Sequence, residues 1–246
     1  MPVGCDLTHC DGKLADDEVH VWYFSLDFPA DALESLIELL DTEERERAAR
    51  FKFAAPRNQF VASHAFLRTM LGRYLGTDPR EISFRTSSHG KPELTGGELG
   101  FNLSHTEGTA IVAVARGLAV GVDVERVRAN LEPLELAGRF FSPQEAAWLR
   151  AQPEAQRLPA FFACWTAKEA YIKARGGGLS IPLAEFSVIP HSGQSELKLE
   201  IHGKPEDSKR WSIWQLDLGA DLRSALAVEG RNLTVRLGRM SSLPAC

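Results

Sequence analysis

The sequence lacks several features that mark secreted or membrane-bound proteins. Only 4 of its 246 residues are cysteine, namely Cys5, Cys10, Cys164 and Cys246, and their spacing matches no zinc-binding pattern. No apolar run approaches the roughly 20 residues of a membrane-spanning helix. Nothing at the N-terminus resembles a charged region followed by an apolar one. Cys5, His9 and Cys10 could in principle bind a metal, but we expect an N-terminal tail without a metal site. We also expect a reduced, cytoplasmic protein.

A surplus of positive charge is also missing. The formal net charge is −5, and without a global basic field we expect neither nucleic acid nor a membrane as a partner. The hydrophobic fraction of 44% and the charged fraction of 25% are ordinary for a globular protein. An acidic protein that binds an anionic ligand must concentrate basic side chains locally. The arginines and lysines near particular motifs are therefore more informative than their total.

The patterns along the chain form two rounds of strand, helices and strands. Residues 19–26 are rich in aromatic and β-branched residues, which is typical of a strand. An apolar stripe predicts a helix over residues 56–76, and residues 110–115 form a nearly continuous apolar run, which predicts a buried strand. A second round contains a predicted strand over residues 120–125 and a predicted helix over residues 158–175. The glycines that follow residue 175 end this helix.

Neither round shows the regular strand–helix–strand alternation of a doubly wound sheet, so the pattern predicts an α+β fold. The break at Gly117 suggests an N-terminal lobe of residues 1–117 and a C-terminal lobe of residues 118–246. Two helix starts are marked by capping residues. Asp41 precedes Glu44 by three positions, and Ser142 stands directly before a proline.

Two short segments carry the residues suited to chemistry. In GVDVE (121–125), Asp123 and Glu125 leave the same face of a strand because strand side chains alternate. In WTAKEAYIK (165–173), Trp165, Glu169 and Lys173 are spaced by four and share one face of a helix. Mg²⁺ prefers oxygen ligands and is usually held by one or two carboxylates together with substrate phosphates. Three converging carboxylates beside a lysine therefore predict a site for Mg²⁺ and a phosphate.

Each segment also has a simpler interpretation. Alternating polar residues on an antiparallel strand usually mark a solvated face. Glu169 and Lys173 by themselves fit a surface ion pair, which contributes only about 0.3–0.5 kcal/mol. Trp165 on the same helical face indicates that this face is covered rather than bathed in water. Together the two segments favour a functional site.

In their order along the chain, these motifs resemble those of the 4'-phosphopantetheinyl transferases, in the larger, surfactin-synthetase-activating form. The other matching stretches are HGKP (89–92), FNLSHT (101–106), FFSPQE (140–145) and GGGLSIPL (176–183). The resemblance covers most of the chain, from about residue 41 to residue 189. It implies two similarly folded α+β lobes that form a pseudo-dimer within one monomer, with the active site in the cleft between them.

The resemblance also implies an activity. The chain would act as a holo-[acyl-carrier-protein] synthase, moving the phosphopantetheine arm of coenzyme A onto a serine of an apo acyl or peptidyl carrier protein and releasing 3',5'-ADP. Asp123, Glu125 and Glu169 would hold Mg²⁺, or Mn²⁺ in its place. Lys173 would lie beside the phosphates and stabilise the leaving group, either by its charge alone or by donating a proton. Glu169 is the expected base for the incoming serine, acting directly or through a metal-bound water.

The resemblance further implies a set of coenzyme-binding residues. They are Arg47, Arg57, Gly90, Lys91, Pro92, Ser104, His105, Lys168 and Lys173. Two positions depart from the family's pattern, since Glu44 stands where a lysine can occur and Gln59 stands where an arginine aligns. These departures leave open which residues bind the 3'-phosphate of coenzyme A.

Two other functions fit parts of the sequence. A magnesium-dependent nucleotide hydrolase also uses carboxylates and lysine, but no Walker-type GxxxxGK[ST] loop is present. A non-catalytic module that binds coenzyme A or a carrier protein would not need Glu169 and Lys173, and both are present. An acidic carrier protein would meet basic and apolar side chains after the strand with the carboxylates. Candidates for that surface, which plain packing and solvation explain equally well, are Arg126, Arg128, Arg139 and Phe140.

Overall fold

The computed structural model describes residues 12–190 and 195–240. The strands in these ranges are β1 (Glu18–Ser25), β2 (Phe84–Thr86), β3 (Pro92–Leu94), β4 (Leu99–Thr106), β5 (Thr109–Arg116), β6 (Val120–Arg126), β7 (Phe186–Ile189), β8 (Glu196–Ile201), β9 (Trp211–Leu216), β10 (Leu222–Glu229) and β11 (Thr234–Met240). The helices are α1 (Ala30–Ile37), α2 (Thr42–Ala49), α3 (Ala54–Leu75), α4 (Pro133–Phe140), α5 (Pro143–Arg150), α6 (Glu154–Arg175) and α7 (Pro205–Ser208). Cys5, His9, Cys10 and Cys246 lie outside the described residues.

The strands form two larger sheets and one small hairpin. The first sheet has the order β11-β1-β5-β4, and the second has the order β6-β10-β9-β8-β7. Strand β11 runs parallel to β1, whereas the other pairs are antiparallel. The small hairpin pairs β2 with β3. Helices and largely antiparallel strands without regular alternation confirm the predicted α+β class.

The two larger sheets pack against each other, and helices cover their outer faces. Val21 and Ile111 from the first sheet meet Val122, Val124 and Leu226 from the second in one buried cluster. Helix α3 packs on the outer face of the first sheet, and α6 packs on the outer face of the second. Because the valines of β6 point toward the first sheet, the residues between them on β6 point toward α6.

The C-terminal strand does not stay with the second sheet. Thr234–Met240 returns to the first sheet and pairs along its whole length with β1. The prediction that residues 118–246 form one separate lobe is therefore wrong for this segment. Its apolar side chains Val235 and Met240 are buried against first-sheet residues, and the side chain of Arg236 donates to Glu18 of β1 at 2.6 Å.

Capping residues define where the main helices begin and end. Asp41 and Glu44 form the predicted capping box at the start of α2, and Ser142 and Glu145 form one at the start of α5. Both 22-residue helices, α3 and α6, end at a glycine in the left-handed conformation, Gly76 and Gly176. In the described ranges, no helix is long and apolar enough to cross a membrane.

Candidate active site

The site forms where β6 lies directly against α6. A Cβ atom at Gly121 would lie 2.1 Å from the carbonyl oxygen of Ala170 and 2.3 Å from the backbone nitrogen of Ala174. Only a residue without a side chain permits this approach of strand backbone to helix backbone. The approach brings Asp123, two residues along the same face of β6, to the side chains of α6.

Gly121→Ala is expected to separate the strand from the helix. Such overpacking against backbone is expected to lower the free energy of unfolding by about 1–3 kcal/mol, measured by urea denaturation, and to reduce turnover as well. Gly138→Ala in α4 is the matched control, since nothing lies within 4 Å of a Cβ there. Equal stability of the Gly121 variant and the wild type would contradict the close approach.

Asp123 and Lys173 form the centre of the site together with Ser104 of β4. The ammonium group of Lys173 donates to Asp123 Oδ1 at 2.6 Å and to Ser104 Oγ at 2.9 Å. Ser104 Oγ in turn donates to the same Asp123 oxygen at 2.8 Å. The backbone N–H of Val122 donates to Asn102 Oδ1 at 2.8 Å, so side chains of β4 bind the neighbouring edge strand β6. Three elements, β4, β6 and α6, therefore meet at one carboxylate.

Glu125 and Glu169 flank this centre and interact with it electrostatically. Burial, and next the negative charge of Asp123, raise the pKa of Glu169. The same two causes raise the pKa of Glu125, and Glu169 adds to the effect. Arg128 lies 3.5 Å from Glu125 and partly offsets this repulsion. The three predicted carboxylates thus share one electrostatic environment with an excess of negative charge.

The three carboxylates offer the type of donor atom that a divalent cation binds. Asp123 Oδ2 is buried and makes no hydrogen bond with any described residue, which is costly for a carboxylate oxygen unless a ligand binds it. Its neighbours are oxygen donors of the type that Mg²⁺ and Mn²⁺ accept. In residues 12–190 and 195–240, however, no three His, Cys, Asp or Glu side chains are grouped as metal ligands. The fit to such an ion thus rests on the chemistry of the donors and on the unpartnered oxygen of Asp123.

A cluster of basic side chains lies next to the carboxylates. His105 follows Ser104 at the end of β4 and is exposed. The surrounding protein partly desolvates its ring, and the charges of His64, Lys173 and Arg47 add to this effect, so that the pKa of His105 is lowered. These three charges therefore all lie near enough to His105 to act on its ring. The structure thus brings the predicted residues Arg47, His105 and Lys173 together.

The predicted HGKP turn joins β2 to β3. Gly90 adopts a φ of 86°, and its N–H donates to Ser87 O at 3.0 Å, which closes the turn. Lys91 Nζ donates to the carbonyl oxygens of Val120 at 2.9 Å and Ala174 at 3.2 Å. Burial lowers the pKa of Lys91 to about 8. The turn is therefore tied to the start of β6 and the end of α6, and Lys91 and Pro92 line a cleft there.

Lys168 is not part of this site, contrary to the sequence-based expectation that it contacts coenzyme A. Its side chain is fully buried and donates to both carboxylate oxygens of Glu145, at 2.8 and 2.7 Å, and to Phe186 O at 2.7 Å. Lys168 lies about 100° around the helix from Glu169, and this direction leads into the core behind α6. Burial lowers the pKa of Lys168 although the charge of Glu145 opposes the shift.

The remaining predicted residues lie at the edges of the site. Arg57, expected to bind coenzyme A, is half-buried at the start of α3, where its Nη1 donates to Asn58 Oδ1 at 3.5 Å. Arg126 donates to Glu107 O, and Arg139 lies over the ring of Phe140 at 5.1 Å. Arg128 and Arg139 are exposed.

Two residues that the sequence analysis left without a role make tertiary contacts that local patterns do not show. Glu145 caps α5, and it also accepts hydrogen bonds from Lys168 and from the backbone N–H of Val188 at 2.7 Å. Glu145 stands three residues after Ser142, and this spacing predicts only where the helix starts. His64 lies in the helix that an apolar stripe predicts, and its polar contact is to Glu44 of another helix.

Comparison with known proteins agrees with this arrangement. The family model described as the 4'-phosphopantetheinyl transferase superfamily matches residues 119–228, and the one described as 4'-phosphopantetheinyl transferase, N-terminal, matches residues 29–117. The chain is 36% identical over 222 residues to 4'-phosphopantetheinyl transferase HetI of Nostoc sp., covering 88% of this chain and 90% of that protein.

Two Bacillus proteins are also similar. The chain is 31% identical over 182 residues to 4'-phosphopantetheinyl transferase Sfp of Bacillus subtilis, covering 73% of this chain and 80% of that protein. It is 32% identical over 177 residues to 4'-phosphopantetheinyl transferase psf-1 of Bacillus pumilus, covering 70% of this chain and 74% of that protein. Both halves of the chain are thus matched by models of one family, and the relatives are matched over most of their length. The chain belongs to the 4'-phosphopantetheinyl transferase superfamily, in its Sfp-like form.

Proposed function

We propose that this protein transfers the 4'-phosphopantetheine group of coenzyme A to a serine of an apo acyl or peptidyl carrier protein and releases 3',5'-ADP. The observation that carries the proposal is the contact of Asp123, Lys173 and Ser104 at the meeting point of β4, β6 and α6. Acidic side chains and the basic cluster around His105 flank this contact. A site of this kind can hold an anionic, phosphate-rich substrate beside a lysine.

Asp123, Glu125 and Glu169 are the residues proposed to hold Mg²⁺ or Mn²⁺, and the unpartnered oxygen of Asp123 supports this choice. A cation bound there would neutralise the pyrophosphate and polarise the bond that breaks. Glu125 and Glu169 would lose their mutual repulsion with Asp123 at the same time. Burial, and next that repulsion, raise their pKa values.

The chemical step needs alignment and charge stabilisation more than covalent help from the protein. The serine oxygen forms a bond to the β-phosphorus of coenzyme A, while the bond to the oxygen of 3',5'-ADP breaks. Glu169 is proposed to accept the serine proton. Lys173, one helical turn further along α6, is proposed to stabilise the negative charge of the leaving group through its ammonium.

The basic cluster is proposed to bind the non-reacting part of coenzyme A. Arg47, Ser104 and His105 would bind phosphate oxygens. Arg47 and Lys173 both act electrostatically on His105, so that these three side chains form one positive environment. The cleft lined by Lys91 and Pro92 would receive another part of the coenzyme. Two N–H donors of Lys91 bind backbone carbonyls, so that one of the three donors of an ammonium group is left for a ligand.

The carrier protein is proposed to dock beside the site on the surface formed by the C-terminal part of β6 and by α4. Arg128 and Arg139 are exposed there, and Phe140 is half-buried under Arg139. This mixed basic and apolar surface suits an acidic partner. One chain supplies every residue in the proposed mechanism, so we propose that the protein acts as a monomer.

A transfer assay tests the proposed function directly. The protein is incubated with coenzyme A, MgCl₂ and a panel of apo carrier proteins, and each carrier is weighed by intact-mass spectrometry. We expect one phosphopantetheine group to be added to at least one carrier, to be absent when the carrier serine is replaced by alanine, and to stop when the divalent cation is chelated. Consumption of coenzyme A without any change of carrier mass would support a hydrolase instead.

His105→Ala is expected to weaken coenzyme A binding while the chemical step stays largely intact. A hydrogen bond to a charged group contributes about 1.5–3 kcal/mol, which corresponds to a roughly tenfold to hundredfold rise in KM for coenzyme A. Steady-state kinetics with a fixed carrier measures this value. His202→Ala is the control, since His202 is an exposed histidine whose ring contacts Ser187. An unchanged KM in the His105 variant would remove His105 from the site.

A further inference from the structure

We propose that His64 is an additional phosphate-binding residue, that Glu44 and Arg68 position it, and that it makes the site prefer coenzyme A over dephospho-coenzyme A. This inference rests on the proposed function, because it names a further contact to the same coenzyme. It also accounts for Glu44, the acidic residue that occupies a position where the family can have a lysine.

His64 is held by a buried carboxylate. Its Nδ1 atom lies 2.8 Å from Glu44 Oε1, and the other oxygen of Glu44 accepts from Arg68 Nε at 2.6 Å. The Arg68 side chain is completely buried and also donates to Ile82 O at 2.9 Å, besides pairing with Asp41. Glu44 is therefore fixed from one side by Arg68 and presents its second oxygen to the histidine.

The charge state of Glu44 follows from these contacts. Burial by itself would raise the pKa of this carboxyl, but the hydrogen bond and charge of His64 and the charge of Arg68 lower it below its ordinary value. Glu44 thus stays a carboxylate at neutral pH and cannot donate a proton to His64. Nδ1 must then carry the proton that is shared with Glu44.

This tautomer leaves the opposite edge of the imidazole for a ligand. His64 Nε2 makes no hydrogen bond with any described residue, and the side chain retains 21% of its exposure. Once the ring is protonated, Nε2 carries a hydrogen that can be donated to a phosphate oxygen. The bond to Glu44 fixes the direction of that donor.

A shared aromatic ring places His64 beside a residue already assigned to the coenzyme. The rings of Phe60 and His64 have centroids 4.0 Å apart, and the guanidinium of Arg47 lies 5.0 Å from the centroid of the same Phe60 ring. His64 also acts electrostatically on His105. The side chains that converge here are thus Arg47 from α2, His64 from α3, His105 from β4 and Lys173 from α6.

The position of Glu44 now has a physical explanation. Both oxygens of its carboxylate are taken up by hydrogen bonds to Arg68 and His64, which offsets its repulsion of a phosphate. The hydrogen-bond donor that a lysine would supply from α2 is supplied instead by Nε2 of His64 from α3. The departure from the family's pattern at residue 44 therefore relocates the basic contact.

Kinetics with coenzyme A and dephospho-coenzyme A test this inference. His64→Ala is expected to raise KM for coenzyme A about tenfold or more, as for loss of a hydrogen bond to a charged group, and to leave KM for dephospho-coenzyme A unchanged. His64→Arg keeps a cation at this position and is expected to restore most of the preference. Glu44→Gln keeps the size of the side chain and is expected to weaken coenzyme A binding in the same selective way.

Several outcomes would overturn the inference. If His64 were merely structural, its replacement would change both KM values together, or neither. His64→Arg would then not restore the preference for coenzyme A. Thermal unfolding of each variant identifies loss of fold, and if the alanine variant does not fold, His64→Gln takes its place. Failure of the proposed function is distinguishable, because the wild type itself would then transfer nothing from either coenzyme.

Discussion

Asp123→Ala is expected to abolish transfer while the protein stays folded. The carboxylate of Asp123 binds Lys173 and Ser104 through one oxygen and leaves the other buried without a hydrogen bond. Loss of this charge removes both the partner of Lys173 and the proposed metal ligand. We expect turnover to fall by about 10³-fold or more, equivalent to about 4 kcal/mol of transition-state stabilisation. Initial rates of carrier modification at saturating coenzyme A and Mg²⁺ measure the effect.

The stability of the same variant separates a functional role from a structural one. An unpartnered buried carboxylate oxygen is unfavourable in the folded state, so its removal offsets the loss of the ion pair. We expect a free energy of unfolding within about 1 kcal/mol of the wild type. Asp16→Asn, on an exposed carboxylate that pairs with Arg116 at 3.6 Å, is the control for charge loss. Near-normal turnover in a folded Asp123 variant would remove this residue from the mechanism.

Lys168→Met is expected to produce the largest loss of stability among the substitutions considered. Lys168 and Glu145 are both fully buried, and the pair is completed by Phe186 O and the backbone N–H of Val188. Removal of one member leaves an uncompensated buried charge, which costs about 3–5 kcal/mol. Urea denaturation is expected to show this loss, whereas KM for coenzyme A of the folded protein at low temperature should be unchanged.

A double variant distinguishes the ion pair from simple packing. Lys168→Met combined with Glu145→Gln removes both charges, and we expect it to be more stable than Lys168→Met alone. A selective rise in KM for coenzyme A in the lysine variant, with little change in stability, would instead return Lys168 to the coenzyme site. The surface variant Lys209→Met, which breaks an exposed pair with Glu206 at 2.7 Å, should leave both quantities nearly unchanged.

Local sequence signals predicted the elements that position the site. The strand of residues 120–125, the helix that contains Trp165 and Lys173, the capping box at Asp41 and the N-cap at Ser142 are all present. Each prediction used interactions between residues close in sequence: side-chain alternation, helical periodicity and a cap three positions from its partner. Such interactions leave a regular pattern because their geometry is the same in every protein.

The errors arose where distant parts of the chain decide the environment. Lys168 and Lys173 are equally suited by type to bind a phosphate, and both lie on α6. The difference is what covers each face of the helix: Glu145 from α5 covers the side of Lys168, while Asp123 and Ser104 cover the side of Lys173. No periodicity contains that information, since the covering residues come from other elements.

The sequence by itself determined the family, the α+β class and the two segments that carry Asp123, Glu125, Glu169 and Lys173. Only the tertiary structure decided that Lys168 belongs to the core, that Glu44 orients His64, and that β11 returns to pair with β1. The physical reason is that the groups which replace water around a charged side chain decide whether it is held in the core or available to a ligand. These partners are 20 or more residues away in the chain for Glu44 and His64 and for Lys168 and Glu145, and packing alone brings them together.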